Sequence, residues 1–336
     1  MNFEIARSLT AVTFALTVAT AQAAAPRYQL SDLGTFGGPE SDATAIDRSG
    51  LIVGYSNTHG VDSHYRAFGY AGGVMSDLGG LTEDGESFAT AVNAAGAACG
   101  HATTADFSGH AVVFKGGQVL DIGALRSDWV SSAATGINRA GHVAGTALSS
   151  QDYRYHAFVY RKGHFKILPA GTRANAINDQ DQVTGATSSK AFLYDHGQMT
   201  DLGTLGGGWS EGVALNQAGA VTGWAATPSD NEAHAFVWRN GSMTDLGTLG
   251  GWQSQGKAID EHGVVVGWST THILDGGRGF VTVHGKMTDL NTLLDPVSGA
   301  GWTVTSASAI GRHGEIVAQG VHKGFFRAVL LTPMAP

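Results

Sequence analysis

A four-part phrase recurs along this 336-residue chain every 38 to 51 residues, and a repeat of that length admits few folds. The clearest copy reads Val213-Ala214-Leu215-Asn216, a turn closing at Gly219, and Ala220-Val221-Thr222-Gly223. It continues through His234-Ala235-Phe236-Val237-Trp238, a turn at Asn240-Gly241, and Met243-Thr244-Asp245-Leu246-Gly247. An Asn or Asp anchors each copy at Asp47, Asn93, Asn138, Asn178, Asn216 and Asp260, with Gly311 in that place in a degenerate seventh copy. A period of about 40–50 residues assembled from short β-type segments marks the blades of a β-propeller, not a solenoid of helices.

Each copy reads as four strands, here called a, b, c and d. Strand a ends at the anchor, and the Asn-x-x-Gly that follows, as in Asn138-Arg139-Ala140-Gly141, suits a type I turn. Asx at its first position bonds the local backbone, and Gly at its fourth accepts positive φ. Strand b carries β-branched residues and then Gly54, Gly100, Gly145, Gly185, Gly223 or Gly267, with Ala318 in the last copy. A glycine inside a strand signals another group packed close on the backbone. Strand c is an Ala-Phe-x-aromatic segment at 67–70, 157–160, 191–194 and 235–238, varied at 111–114. Two-residue loops ending in Gly then turn into strand d, a strong hairpin signal.

The two ends of the chain complement each other. Tyr28-Gln29-Leu30-Ser31-Asp32-Leu33-Gly34 is a strand d with nothing before it, and Arg327-Ala328-Val329-Leu330-Leu331 is a strand c with nothing after it. Joining them completes a last blade from both termini, whereas an open array would leave unpaired edges. The expectation is an all-β chain: a seven-bladed β-propeller of four-stranded antiparallel blades, the last blade closed by the N-terminal strand. It occupies residues 24–336 as one domain.

Residues 1–23 read as a secretory signal peptide. Arg7 supplies a positive n-region, Leu9 to Ala19 an apolar core, and Ala21-Gln22-Ala23 a small-x-small cleavage site. The apolar run is too short to be a transmembrane segment. The protein is therefore expected to be secreted, to the periplasm or the extracellular space. The single cysteine, Cys99, aligns with Val53 and Val266 on strand b and is expected as a buried thiol, with no disulfide, metal or cofactor. A net charge of −8, with only 14% charged residues, offers no basic stripe for nucleic acid. A monomer is expected.

The wording of the repeats resembles a known family. Asp-Leu-Gly-Thr-Leu-Gly-Gly at 201–207 and again at 245–251, the Ala-Ile-Asn segments and the His-Ala-Phe triplets at 156–158 and 234–236 are similar to the bacterial HAF-repeat proteins, a family of extracellular repeat proteins. The resemblance covers essentially the whole mature chain. It implies export and a repeat fold, and it brings no catalytic residues with it. The departures are Ile167-Leu168-Pro169 in place of Asp-Leu-Gly, Asp181 in place of the turn Gly, and Gly311 in place of Asn.

Strand c opens on Arg66, His110, His156, Lys190, His234, Arg278 or Arg327. Counting through the two-residue hairpins pairs Phe236 with Asp245 and sets His234 diagonal to that carboxylate. The same register joins Arg66 to Asp77, His110 to Asp121, Lys190 to Asp201, Arg278 to Asp289 and Arg327 to Asp32. Diagonal neighbours are within reach of long side chains. Arg and Lys cannot replace a neutral imidazole ligand, so the position reads as a charge-assisted scaffold contact, not a metal or catalytic site.

Function is then expected in the longer, varied b–c and d–a loops, which share one end of the blades, the top face. Its candidate ligand-binding residues are Phe88, Trp129, Trp209, Trp252 and Trp302. Short loops at 186–189 and 169–173 are expected to leave a notch between Trp129 and Trp209. The favoured reading is a non-enzymatic binding scaffold for a glycan, peptide or surface protein partner, with packing between blades as the competing role for the tryptophans. The alternative is an enzyme, a lyase or glycan hydrolase, with a site in the central funnel.

Overall fold

The computed structural model describes residues 27–60, 63–229, 231–272 and 276–335, and the expected signal peptide lies outside them. The chain is all-β: among the described residues the helical elements are two short 3-10 turns, Gly123–Leu125 and Leu290–Leu293. Strands a to d of each phrase pair antiparallel in chain order. The sheets containing Ala233–Arg239 and Gly250–Ile259 are also linked by a single parallel bridge, Ala233 with Gln253. The last sheet runs Tyr28–Asp32, Phe325–Pro333, Ile316–His322, Trp302–Ile310, with Leu30 opposite Leu331 and Asp32 opposite Val329. The join between the two termini is therefore present.

The a strands are Gly37–Ile46, Ser87–Val92, Trp129–Ile137, Arg173–Ile177, Ser210–Leu215, Gly250–Ile259 and Trp302–Ile310. Each touches the a strand of the next sheet, and Trp302–Ile310 touches Gly37–Ile46, so these strands surround an axis and the ring of sheets is closed. Every a strand slips register by one residue against its b strand, as between Ala43 and Ala45 or Gly212 and Ala214. The slip presses a carbonyl onto the strand-b glycine. A Cβ on Gly100 would overlap the Phe88 carbonyl oxygen, and one on Gly223 that of Glu211. The Asx turns form as expected, with Gly141 at φ +79° donating to the Asn138 carbonyl over 2.9 Å. Asp181 takes the same left-handed backbone, and its carboxylate accepts from Asn138 Nδ2 at 2.8 Å and meets Arg161 at 3.0 Å.

Burial follows the phrase. Phe68, Phe158, Phe192, Phe236 and Phe280 of the c strands are the largest fully buried side chains, each wedged into a cluster of aliphatic residues between sheets. A buried hydroxyl on strand a fastens each sheet to its predecessor. The strand-c N–H groups of Ala67, Ala111, Ala191 and Ala235 donate to Ser87, Ser132, Ser210 and Ser254 at 2.8–2.9 Å. Thr172 serves Ala157 at 3.2 Å, and Ser41 serves Ala328 at 3.0 Å across the closure of the ring. Between the last two sheets Asn291 substitutes, bonding both the N–H and the carbonyl of Val304.

Ser254 also donates to the Gly247 carbonyl at 2.6 Å. Replacing it with Ala would strand a buried donor and an acceptor together, and buried unsatisfied groups cost about 1–3 kcal/mol each. Ser254→Ala is expected to lower unfolding stability by about 2 kcal/mol in urea titration. An unchanged midpoint would show that the staple contributes nothing.

The anchors form a second set of links. Asn93 Nδ2 donates to the Asn138 carbonyl at 2.9 Å, Asn138 to Asn178 at 3.1 Å, Asn178 to Asn216 at 3.1 Å, and Asn216 to Asp260 at 2.9 Å. Asp260, Gly311 and Asp47 carry no amide, so the relay stops there and resumes at Asn93.

Candidate functional site

The five aromatic candidates fall into two environments. Phe88 stacks on His101 at 4.7 Å and meets Tyr55 edge-on at 5.1 Å. Trp129 lies 4.9 Å from Phe158 and 4.8 Å from Phe165, against an aliphatic cluster, with the Arg126 guanidinium 5.7 Å from its ring. Trp209 meets Trp224 edge-on at 5.0 Å, and Trp302 stacks on His322 at 4.7 Å. Trp252 differs: 58% of it is exposed. The local sequence spacing differs by one residue. The heptads 201–207 and 245–251 are identical, but Trp209 directly precedes the buried Ser210, whereas Trp252 stands two places before the buried Ser254. Trp252 lies in the stretch Gly250–Ser254, where the strand shifts register against Val265–Thr271, and this irregularity carries the indole out of simple alternation and into solvent.

Trp252 borders an open cavity of about 660 Å³ together with Glu232, Thr270, Thr271 and His272. Gly250, Gly251, Gly276 and Gly277 complete its wall and leave the space unfilled. The expected notch also has a cavity, of about 600 Å³, lined by Tyr153, Tyr155, Ala170, Gly171, Arg173 and Thr187 among others. Neither Trp129 nor Trp209 lines it. Trp129 instead borders a separate hollow of about 230 Å³ with Arg126, Asp152 and His156. The notch carries tyrosines, with the Arg173 guanidinium 4.2 Å above the Tyr155 ring, and these residues are not among the aromatic candidates expected from the sequence.

The strand c and d register is as expected, with Phe236 opposite Asp245 and Phe68 opposite Asp77. Diagonal contacts form directly at Arg66–Asp77, 3.2 Å, His110–Asp121, 2.9 Å, and His234–Asp245, 3.0 Å. His156, whose diagonal partner was lost with Ile167, pairs with Asp152 at 3.0 Å. Each carboxylate is already committed: Asp77 and Asp245 also accept from the N–H of Gly79 and Gly247 at 2.7 Å. Among the described residues no group of three or more His, Cys, Asp or Glu has metal-holding geometry. Cys99 is fully buried, and burial pushes its thiol up to about 12.

The a strands carry polar groups that the repeat does not require. Thr44, Thr90 and Thr135 each donate to a carbonyl of the next a strand at 2.8–3.0 Å, and Asn175 does the same to Gly212. Lys257 occupies the corresponding place in its strand, and burial holds its ammonium below the usual lysine range against the attraction of Asp42. Burial raises the Asp42 carboxyl, while Lys257 and the Tyr55 hydroxyl oppose the rise. Asp42 Oδ2 accepts from Tyr55 at 3.2 Å and Gln319 at 3.3 Å, whereas Oδ1 is buried without a partner. The signal in the sequence was a lysine three places before an anchor, where the other copies have Thr, Asn, Val or Ser.

No family model and no curated protein sequence matches this chain. Solved structures do. A puromycin-hydrolysing peptidase from Mycobacterium tuberculosis is similar over 93% of this chain and 54% of its own, at 10% identity and a TM-score of 0.53. TolB from Acinetobacter baumannii is similar over 70% and 63%, at 12% identity and 0.43. The β-propeller domain of the Trilobed protease from Pyrococcus furiosus is similar over 92% and 86%, at 7% identity and 0.44. The chain thus spans less than two thirds of the length of TolB and of the peptidase, and at such identities the likeness concerns the fold alone. Antiparallel four-stranded sheets closed in a ring around an axis constitute a β-propeller, and this chain has that fold.

Proposed function

We propose that this chain is a seven-bladed member of the HAF-repeat family, exported by way of residues 1–23, and that it is a non-enzymatic module binding a glycan on its top face. The exposed indole of Trp252 over its cavity carries the reading. A planar aromatic surface takes the apolar face of a sugar ring, while Glu232 and His272 beside it offer hydrogen bonds to hydroxyls. The other four aromatic candidates are packed against neighbouring rings and serve as walls of the scaffold. The repeated His–Asp and Arg–Asp contacts support a scaffold role too, since Arg takes the His place in other sheets.

The test is a glycan and peptide array probed with the chain from residue 24. Trp252→Ala is expected to weaken glycan binding by about 2 kcal/mol, roughly thirtyfold, with an unchanged melting temperature. Peptide hits without glycan hits, or full glycan binding by the variant, would overturn the reading. One observation favours a second reading, an enzyme of the central funnel: Asp42 and Lys257 are both shifted by burial, as acid–base groups at active sites are. Turnover of a glycan hit that vanishes in Lys257→Met would establish it.

A further inference from the structure

The gap in the anchor relay opens onto a cavity of about 490 Å³ at the other end of the axis from Trp252. Its walls are the strand-end residues Ile46, Ile259 and Ile310, and it is lined as well by Asp47, Asp260 and Glu261 and by the exposed Arg48, His262 and Arg312. A second, smaller hollow on the axis begins at the same Asp47 and runs toward Asn93 and Asn138. Gly311 sends no side chain into the gap; part of the space an anchor would take is held by Glu315, which accepts from His313 N–H at 2.9 Å.

Hydrogen-bond capacity is unbalanced here. At the intact links each anchor carbonyl receives one bond from its own turn and a second from the preceding Asn amide. The carbonyls of Gly311, Asp47 and Asn93 receive the turn bond at 2.9–3.2 Å, but the residues preceding them in the ring have no amide to give the second. Asp47 is itself 93% buried, being 7% exposed. Its Oδ1 accepts from Ser49 and Leu51, while its Oδ2 is buried with no partner at all. The arc is rich in acceptors, anionic at its recessed point and apolar below.

We propose that this axial cavity binds a primary ammonium group, seated against Asp47 Oδ2 and the neighbouring anchor carbonyls. An ammonium has three donors and no acceptor, which matches a set of converging oxygens. An alkyl stem behind it would lie along the three isoleucines. A divalent metal fits less well, because no three acidic or imidazole side chains converge here. The ammonium could arrive on a free amine or on a lysine side chain, and the two are separable by probe.

The experiment titrates the chain from residue 24 with n-butylamine, with a lysine-containing tripeptide of blocked termini, and with Ca²⁺, followed by calorimetry and NMR. Saturable binding of butylamine, weakened at least tenfold in Asp47→Asn and reduced in Asp260→Asn, is expected. Asp47→Asn installs the residue used at four other anchors, so this variant should melt no lower than the parent and the loss cannot be blamed on unfolding. Binding of the tripeptide as well as butylamine would assign lysine side chains as occupants; butylamine alone would assign free amines. No saturable binding of either amine, binding of Ca²⁺ alone, or undiminished binding by Asp47→Asn would each overturn the proposal. None of these outcomes depends on the Trp252 site.

Discussion

A chain that begins at Thr35 is expected to lose roughly 5–8 kcal/mol of stability relative to one that begins at residue 24. The removed segment inserts Tyr28, Leu30 and Leu33 at 3%, 6% and 5% exposure. Full burial of such side chains stabilises by about 1.5–3 kcal/mol each. Five residues of Tyr28–Asp32 pair with the C-terminal strand, and Leu33 N–H donates to the Ala328 carbonyl at 3.0 Å. The same segment reaches the preceding sheet's loop, where Leu30 N–H donates to Ser298 Oγ at 3.1 Å and Asp295 N–H to the Tyr28 carbonyl at 2.8 Å. Deletion therefore uncovers the edge of Phe325–Pro333 and loosens a join between two sheets at once. Scanning calorimetry on the two chains measures the loss. A truncated chain that melts within a degree of the longer one would mean that the terminal strand is ornamental to the ring.

The fold was legible where turn chemistry is local. Asn-x-x-Gly and two-residue glycine hairpins set the strand ends, and counting from them located Asp245 opposite Phe236 and Asp77 opposite Phe68. The joins between sheets were not read, although their mark was present. A hydroxyl residue stands six places before every anchor, from Ser41 before Asp47 to Thr305 before Gly311. Except at Thr305, which donates to Gln319 of its own sheet, its partner is a strand-c N–H of the previous sheet, distant in sequence, so the pattern has no meaning until the sheets are stacked. The same marker separates the tryptophans. Trp209 and Trp252 look equivalent after identical heptads, and only their different distances from Ser210 and Ser254 tell that one packs on Trp224 and the other faces water. The electrostatic attraction between Asp42 and Lys257 needed closure of the ring, since these residues sit on different sheets far apart in the chain.

Phe236→Ala is expected to cost about 3–5 kcal/mol, the range for removing a large aromatic from a packed core. Phe236 is 0% exposed, and its cluster joins Leu193 and Leu202 of the preceding sheet with Val221 and Ala225 of its own. The cavity left behind cannot collapse easily, because the ring fixes the spacing of each sheet from both sides. Its hydrogen-bonding neighbours would remain in place: Ala235 N–H stays on Ser254, and the Phe236 carbonyl stays on Thr222 Oγ1 at 2.7 Å. The loss is therefore one of burial and dispersion rather than of pairing. Phe68 belongs to a separate cluster with Ile52 and Val317, so Phe68→Ala should cost a similar amount and the double variant should be additive within about 0.5 kcal/mol. Urea unfolding followed by tryptophan fluorescence and by circular dichroism tests both points. Coincident single transitions in all variants are expected, since a closed ring has no free end from which to fray. A loss under about 1 kcal/mol for Phe236→Ala would show that the sheets re-pack freely, and separated transitions would show that they unfold as independent repeats.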